Sequence, residues 1–191
     1  MDRVYTFGVD DENNELVLLD TYVDDLGVFP RYSTFHPVKP VFYTNNERKC
    51  EIHVFGYTED GKMNLVQKVD LLTDEYKDKE YAINCRPMGA QDILAHPNGK
   101  VVYCTVEGGD NLLVTLKVKE DGTLELAQNV DCEGTMPRGI CISPDGRFLL
   151  SGNLTSGDVT VFAIDDEGML SYTGNKYEAV SPSAIRIFEA K

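Results

Sequence analysis

The chain has 191 residues, with 18 Lys and Arg against 32 Asp and Glu, a formal charge of −14. A composition of 42% hydrophobic and 26% charged residues is that of a globular protein, which excludes disordered and collagen-like chains, and no run approaches the roughly 20 apolar residues of a membrane helix. So negative a surface repels DNA, RNA and anionic membranes, but it admits a small anionic ligand in a pocket carrying its own arginines.

In chain order, the first elements are two strands, Val4 to Val9 and Leu16 to Leu19, joined by an acidic turn over Asp10 to Asn14. A hairpin then begins at Pro30-Arg31, turns at His36-Pro37 and returns through Val41 to Asn46. A second hairpin runs from Ile52 to Phe55, turns at Glu59-Asp60-Gly61 and returns through Met63 to Val66. The same pair of hairpins recurs twice. One copy turns at His96-Pro97-Asn98-Gly99 and Glu120-Asp121-Gly122, the other at Ser143-Pro144-Asp145-Gly146 and Asp166-Glu167-Gly168. Short apolar runs around Pro- and Gly-containing turns are the signal of β-hairpins.

The equivalent residues Leu16, Met63, Leu124 and Leu170 are spaced by 47, 61 and 46. The long step is one unit plus a 14-residue insert, placed at about 73–87, where a helical turn inside Asp74 to Glu80 is the chain's best candidate for helix. Four strands per unit of about 40–50 residues predict an all-β propeller of four-stranded antiparallel blades. The whole chain, 1–191, reads as one propeller segment: a partial blade over 3–22, blades at about 30–72, 90–131 and 137–178, and a closing strand over 183–188. That is about four blades, part of a larger ring. An open arc leaves unpaired strand edges, so a homodimer or another chain covering them is expected.

If the first strand of each blade is innermost, its start and the end of the antiparallel second strand lie on one face of the disc. Arg31, Asp92 and Arg138 mark first-strand starts. Asn46-Glu47, Glu107 and Asn153 mark second-strand ends. These positions are expected to converge on one channel mouth. There Glu47 or Asp92 can serve as a general base, and Arg138 or Arg31 can stabilise an oxyanion or hold a phosphate. The competing reading is that the arginines pair with these same carboxylates.

The three histidines form no zinc constellation. His36 and His96 precede prolines in matching turns and read as turn residues, and His53 reads as a solvent or blade-face residue. The acidic turn at Asp10 lacks the spacing of a calcium loop, and no nucleotide or nucleophile motif occurs. No metal and no cofactor is expected. The Asn153-Leu154-Thr155 glycosylation pattern reads as chance. Five cysteines without a C-x-x-C pair, behind a start lacking a signal-peptide pattern, predict free thiols and a cytoplasmic protein.

The repeated segments resemble the C-terminal half of the lactonase-family seven-bladed propellers, the bacterial-type 6-phosphogluconolactonases. The text that matches is Asp2 to Tyr5, Pro30-Arg31 with Phe35-His36-Pro37, Asn46-Glu47, Pro97 to Lys100, Pro137-Arg138 with Ser143 to Leu149, Asn153, Val159 to Phe162 and Ser181-Pro182. The resemblance implies hydrolysis of a sugar-phosphate lactone in the pentose phosphate route, with Glu47, Asp92 and Arg138 as catalytic candidates and Arg31, Asn46 and Asn153 as substrate-binding candidates. The sequence departs from the family pattern in four places. Tyr32 and Gly139 stand where His is usual, Asp92 stands for Glu, and Val106-Glu107-Gly108 stands for Asn-Arg-Gly, so a negative charge replaces a positive one. These departures predict weak or absent turnover, and the alternative function is a non-catalytic propeller acting as an interaction scaffold.

Overall fold

The computed structural model describes residues 2–77 and 88–188. Over these residues the chain forms fourteen strands and one short helix. Strands β1 (Arg3–Asp10) and β2 (Glu15–Val23) make a two-stranded sheet. Three four-stranded antiparallel sheets follow, each in sequential order. The first holds β3 (Pro30–Phe35), β4 (Val41–Asn46), β5 (Glu51–Tyr57) and β6 (Met63–Asp70). The second holds β7 (Gly89–Ala95), β8 (Val101–Glu107), β9 (Leu112–Val118) and β10 (Leu124–Asp131). The third holds β11 (Pro137–Ile142), β12 (Phe148–Asn153), β13 (Asp158–Ile164) and β14 (Leu170–Glu178). These are propeller blades in an arc that does not close into a ring. Helix α1 (Asp74–Lys77) is a single turn in the predicted insert, of which 78–87 lie outside the described residues.

Burial follows position in the blade. Every residue of β4 and β8 is buried, because a blade's middle strands are covered on both faces. Outer β6 alternates half-buried and exposed residues, as a strand with one wet face must. The cores lie between blades. One gathers Tyr43, Ile52 and Val54 with Val102, Val114 and Leu116. The other gathers Tyr103 and Leu113 with Ile140, Leu149 and Phe162.

Neighbouring blades are fastened at three radii by equivalent residues. Near the axis, the Nδ1 of His36 accepts from Val38 and Lys39 N–H, while its Nε2 meets Gly99 O at 3.1 Å. His96 repeats this with Asn98 N–H and Gly146 O. The turn role read for both histidines is therefore visible, and it also joins blades. Farther out, Tyr43 Oη donates to Gly122 O and Tyr103 Oη to Gly168 O. Gly122 and Gly168 end the outer hairpin turns at φ of 87° and 85°, a region that L residues with a Cβ avoid. At the rim, Gln67 clasps the N–H and C=O of Leu124, and Gln128 clasps those of Leu170.

One expectation needs correction and one alternative is decided. The strand predicted over 183–188 forms no ladder; a first strand needs a second to pair with, and none of the described strands pairs with this segment. It nevertheless crosses blade three closely: a Cβ on Gly139 would lie 2.9 Å from Ser183 O. For His53 the structure selects the blade-face reading over the solvent one. It is 1% exposed, with Nδ1 3.0 Å from Asp24 Oδ2 and Nε2 2.9 Å from Glu51 Oε1. Alternation along β5 turns it toward β2, where it joins Tyr22 and Phe55.

Candidate functional site

The start of each first strand is bulged. Pro30 pairs with Asn46 and Ser33 with Thr44, so Arg31 and Tyr32 face Asn45 alone. Ala90 pairs with Val106 and Ile93 with Cys104, so Gln91 and Asp92 face Thr105. Pro137 pairs with Asn153 and Gly139 with Gly152, leaving Arg138 extra. Side chains take up backbone donors at two of the bulges: Asn45 Oδ1 accepts from Tyr32 N–H and Thr105 Oγ1 from Asp92 N–H. A bulge re-aims the residue it carries. Here it does so at the same place in three blades, and all the first-strand candidates are bulge residues.

Strands β3, β7 and β11 lie side by side around a cavity of about 510 Å³. Its charged lining residues are Asp92, Arg138 and Arg186, and Tyr32 and Ser183 also line it. The two Asp92 oxygens accept hydrogen bonds from Ile93 N–H and, across the blade boundary, from Ile140 N–H, each at 2.9 Å. Burial pushes the Asp92 carboxyl above the ordinary aspartate range. The Ile140 and Ile93 N–H groups and the Arg186 and Arg31 charges pull the other way without cancelling it.

Arg138 Nη1 lies 3.8 Å from Glu107 Oε2, an ion pair too long to be a hydrogen bond, and the Glu107 side chain is 1% exposed. Arg31 donates from Nε to Gln91 O at 2.9 Å, faces Glu47 Oε2 at 3.4 Å, and lies over the Tyr32 ring. Gln91 Nε2 reaches Glu47 Oε1 at 3.4 Å. Arg31, Glu47 and Gln91 thus form a polar group outside the cavity lining, in line with the competing reading that the arginines pair with local carboxylates.

The six candidates do not converge as one set. Asp92 and Arg138 reach the cavity, and Arg31 and Glu47 meet each other. Asn46 and Asn153 are both fully buried. Asn153 spends both amide donors on Asp158 Oδ1 and Thr160 Oγ1 and accepts from Ser151 Oγ, so it fastens the β12–β13 end of its own blade. Asn46 Oδ1 and Nδ2 have no hydrogen-bond partner among the described residues. Asn46 and Asn153 are thus buried at their strand ends, while the bulges of β7 and β11 turn Asp92 and Arg138 toward the cavity.

Gln91 and Arg186 escaped the sequence reading. A signal for Arg186 was present: it stands four residues after Pro182, as Cys141 stands four after Pro137, and Cys141 also lines the cavity.

Blades of four antiparallel strands, with a cavity lined by polar residues beside the first strands, define an arc of a β-propeller. The chain belongs to the lactonase family: the family described as Lactonase, 7-bladed beta-propeller matches residues 1–187. It is 27% identical over 168 residues to the 6-phosphogluconolactonase of Cronobacter sakazakii, covering 86% of this chain and 48% of that protein. It is 31% identical over 140 residues to that of Serratia proteamaculans, covering 73% and 40%. The chain therefore spans less than half the length of these curated relatives. Among solved structures, the periplasmic gluconolactonase of Pseudomonas aeruginosa matches with a TM-score of 0.85 at 28% identity, over 97% of this chain and half of that one. A Lactobacillus plantarum protein matches with a TM-score of 0.87 at 24% identity over 98% and 53%, a likeness of fold.

Proposed function

We propose that the chain carries the catalytic face of a sugar-lactone hydrolase, acting in the channel between β3, β7 and β11. The observation that carries this reading is the Asp92 carboxylate, set in the cavity wall, raised by burial and flanked by guanidinium groups. Each Asp92 oxygen holds one backbone N–H and keeps a lone pair for water.

In the proposed reaction, Asp92 takes a proton from a water that attacks the lactone carbonyl carbon. Arg138 stabilises the oxyanion that forms. Collapse of the tetrahedral intermediate breaks the bond to the ring oxygen, which recovers the proton from Asp92 and leaves as a hydroxyl; the product is the open-chain hydroxy acid. The relatives' names point to a gluconic-acid lactone, phosphorylated in the two curated cases. The Glu107–Arg138 pair weakens the oxyanion site, so slow turnover is expected, and it is also the observation favouring the non-catalytic scaffold reading. We place the activity in the cytoplasm, where the buried thiols stay reduced.

Titration of the acid released from gluconolactone and from 6-phosphogluconolactone, above spontaneous hydrolysis, tests this. Asp92→Asn should lower the enzymatic rate by about 10²–10⁴-fold, the usual contribution of a general base. No rate above background in the wild type, or an undiminished rate in Asp92→Asn, would refute it.

A further inference from the structure

We infer that Arg186 is the residue that selects a phosphorylated lactone, by binding the phosphate group. This rests on the lactone-hydrolase reading and extends it to substrate class. The cavity presents two cations, Arg138 and Arg186. Arg138 is already matched by the buried charge of Glu107. Arg31, outside the lining, is matched by Glu47 and anchored on Gln91 O. Arg186 forms no ion pair among the described residues; its one hydrogen bond runs from Nη1 to the neighbouring Ile185 O, at 2.6 Å. Asp92, the carboxylate in the same cavity, has both oxygens engaged by backbone N–H groups. Arg186 therefore keeps most of a planar, five-donor fork for a ligand, and that fork fits a phosphate bidentately.

Its place in the fold also differs from that of Arg138. Arg138 stands at the β11 bulge and faces Glu107, whereas Arg186 belongs to the 182–188 segment that crosses blade three, near enough to Asp92 for its charge to act on that carboxyl. An unphosphorylated lactone has no group that needs so open a cation, so the residue sets the preference for the phosphorylated ligand.

Calorimetry with 6-phosphogluconate, gluconate and inorganic phosphate on wild type, Arg186→Gln, Arg186→Lys and Arg138→Gln tests the assignment. Arg186 is exposed, so its replacement should leave the melting temperature unchanged. The wild type should bind 6-phosphogluconate at least tenfold more tightly than gluconate. Arg186→Gln should bring the two together by weakening only the phosphorylated ligand and should lose inorganic phosphate. Arg186→Lys should restore part of the preference as a point charge, and Arg138→Gln should weaken both sugar acids alike. A preference that survives in Arg186→Gln, or is absent from the wild type, overturns the assignment while leaving the lactone reading standing. A wild type that binds neither sugar acid overturns both.

Discussion

A single carboxyl can be followed through both activity and stability. Asp92 is pushed above the ordinary aspartate range by burial, and a general base works only when deprotonated. The acid limb of kcat/KM should therefore lie above pH 3.8, the ordinary aspartate value; a limb at or below that value would remove Asp92 from the role. The sign for stability follows from the same shift. Between pH 3.8 and its raised folded value, native Asp92 holds a proton that the unfolded chain has released. Its contribution is full below this window, is lost as the pH rises through it, and is flat above it. Urea titrations across the window should show that slope in the difference between the wild type and Asp92→Asn, because the other carboxylates titrate in both. Glu107 carries a second residue-scale prediction. The sequence places it as a negative charge at the channel mouth, where Glu107→Arg should favour anions; the structure buries it 3.8 Å from Arg138. A second guanidinium there would be desolvated beside the first, so Glu107→Gln is the informative variant. It should raise anion affinity severalfold by releasing Arg138, and unchanged or weaker binding would show that the pair does not restrain the arginine. The bulge explains why the residue level was only partly legible. Arg31, Asp92 and Arg138 stand out because proline or alanine precedes an apolar run, but an extra polar residue leaves no mark in strand alternation. Asn46 and Asn153 look equivalent to site residues until the pairing shows which way they turn.

At the scale of elements, the blades were legible because turns repeat: Glu-Asp-Gly, Glu-Asp-Gly and Asp-Glu-Gly close the outer hairpins at nearly constant spacing. The segment over 183–188 has the apolar pattern of a strand, yet it has no described neighbour to pair with, and a ladder is a property of two strands. The fastenings between blades were illegible for a related reason. Gln67 and Gln128 look like ordinary polar residues on outer strands, and only adjacency reveals that each amide closes two hydrogen bonds on the next blade's backbone. Gln128→Ala should therefore destabilise the chain by about 1–3 kcal/mol, the cost of leaving shielded backbone groups unpaired. Asn175→Ala, at the exposed irregularity of β14 where Asn175 bonds Thr173, is the control. Denaturant unfolding that finds the two variants equal would show that the clasp adds nothing to blade cohesion.

For the whole molecule, the decisive features are the uncovered face of the first sheet and the net charge. Among the described residues β1 is hydrogen-bonded to β2 alone, which leaves its other edge open there. One face of this sheet meets the first blade, where Tyr22 packs on Phe55 and Gly61 O accepts from Thr6. The other face presents Tyr5, Phe7, Val9, Leu16 and Leu18, with Val9 and Leu16 paired and each 70% exposed. An open edge beside an apolar face is a template for association, whereas a charge of −14 keeps copies apart. The two terms respond differently to salt. Repulsion between exposed charges is screened within about 10 Å at 0.1 M, while apolar burial is not weakened. Sedimentation velocity should therefore show a larger species that grows as sodium chloride rises from tens to hundreds of millimolar. Phe7→Lys with Val9→Lys, which puts cations on that face, should suppress it even though the double variant is less negative overall. If the wild type stays monomeric at every salt concentration, or the lysines leave association untouched, the face formed by β1 and β2 is not where copies meet.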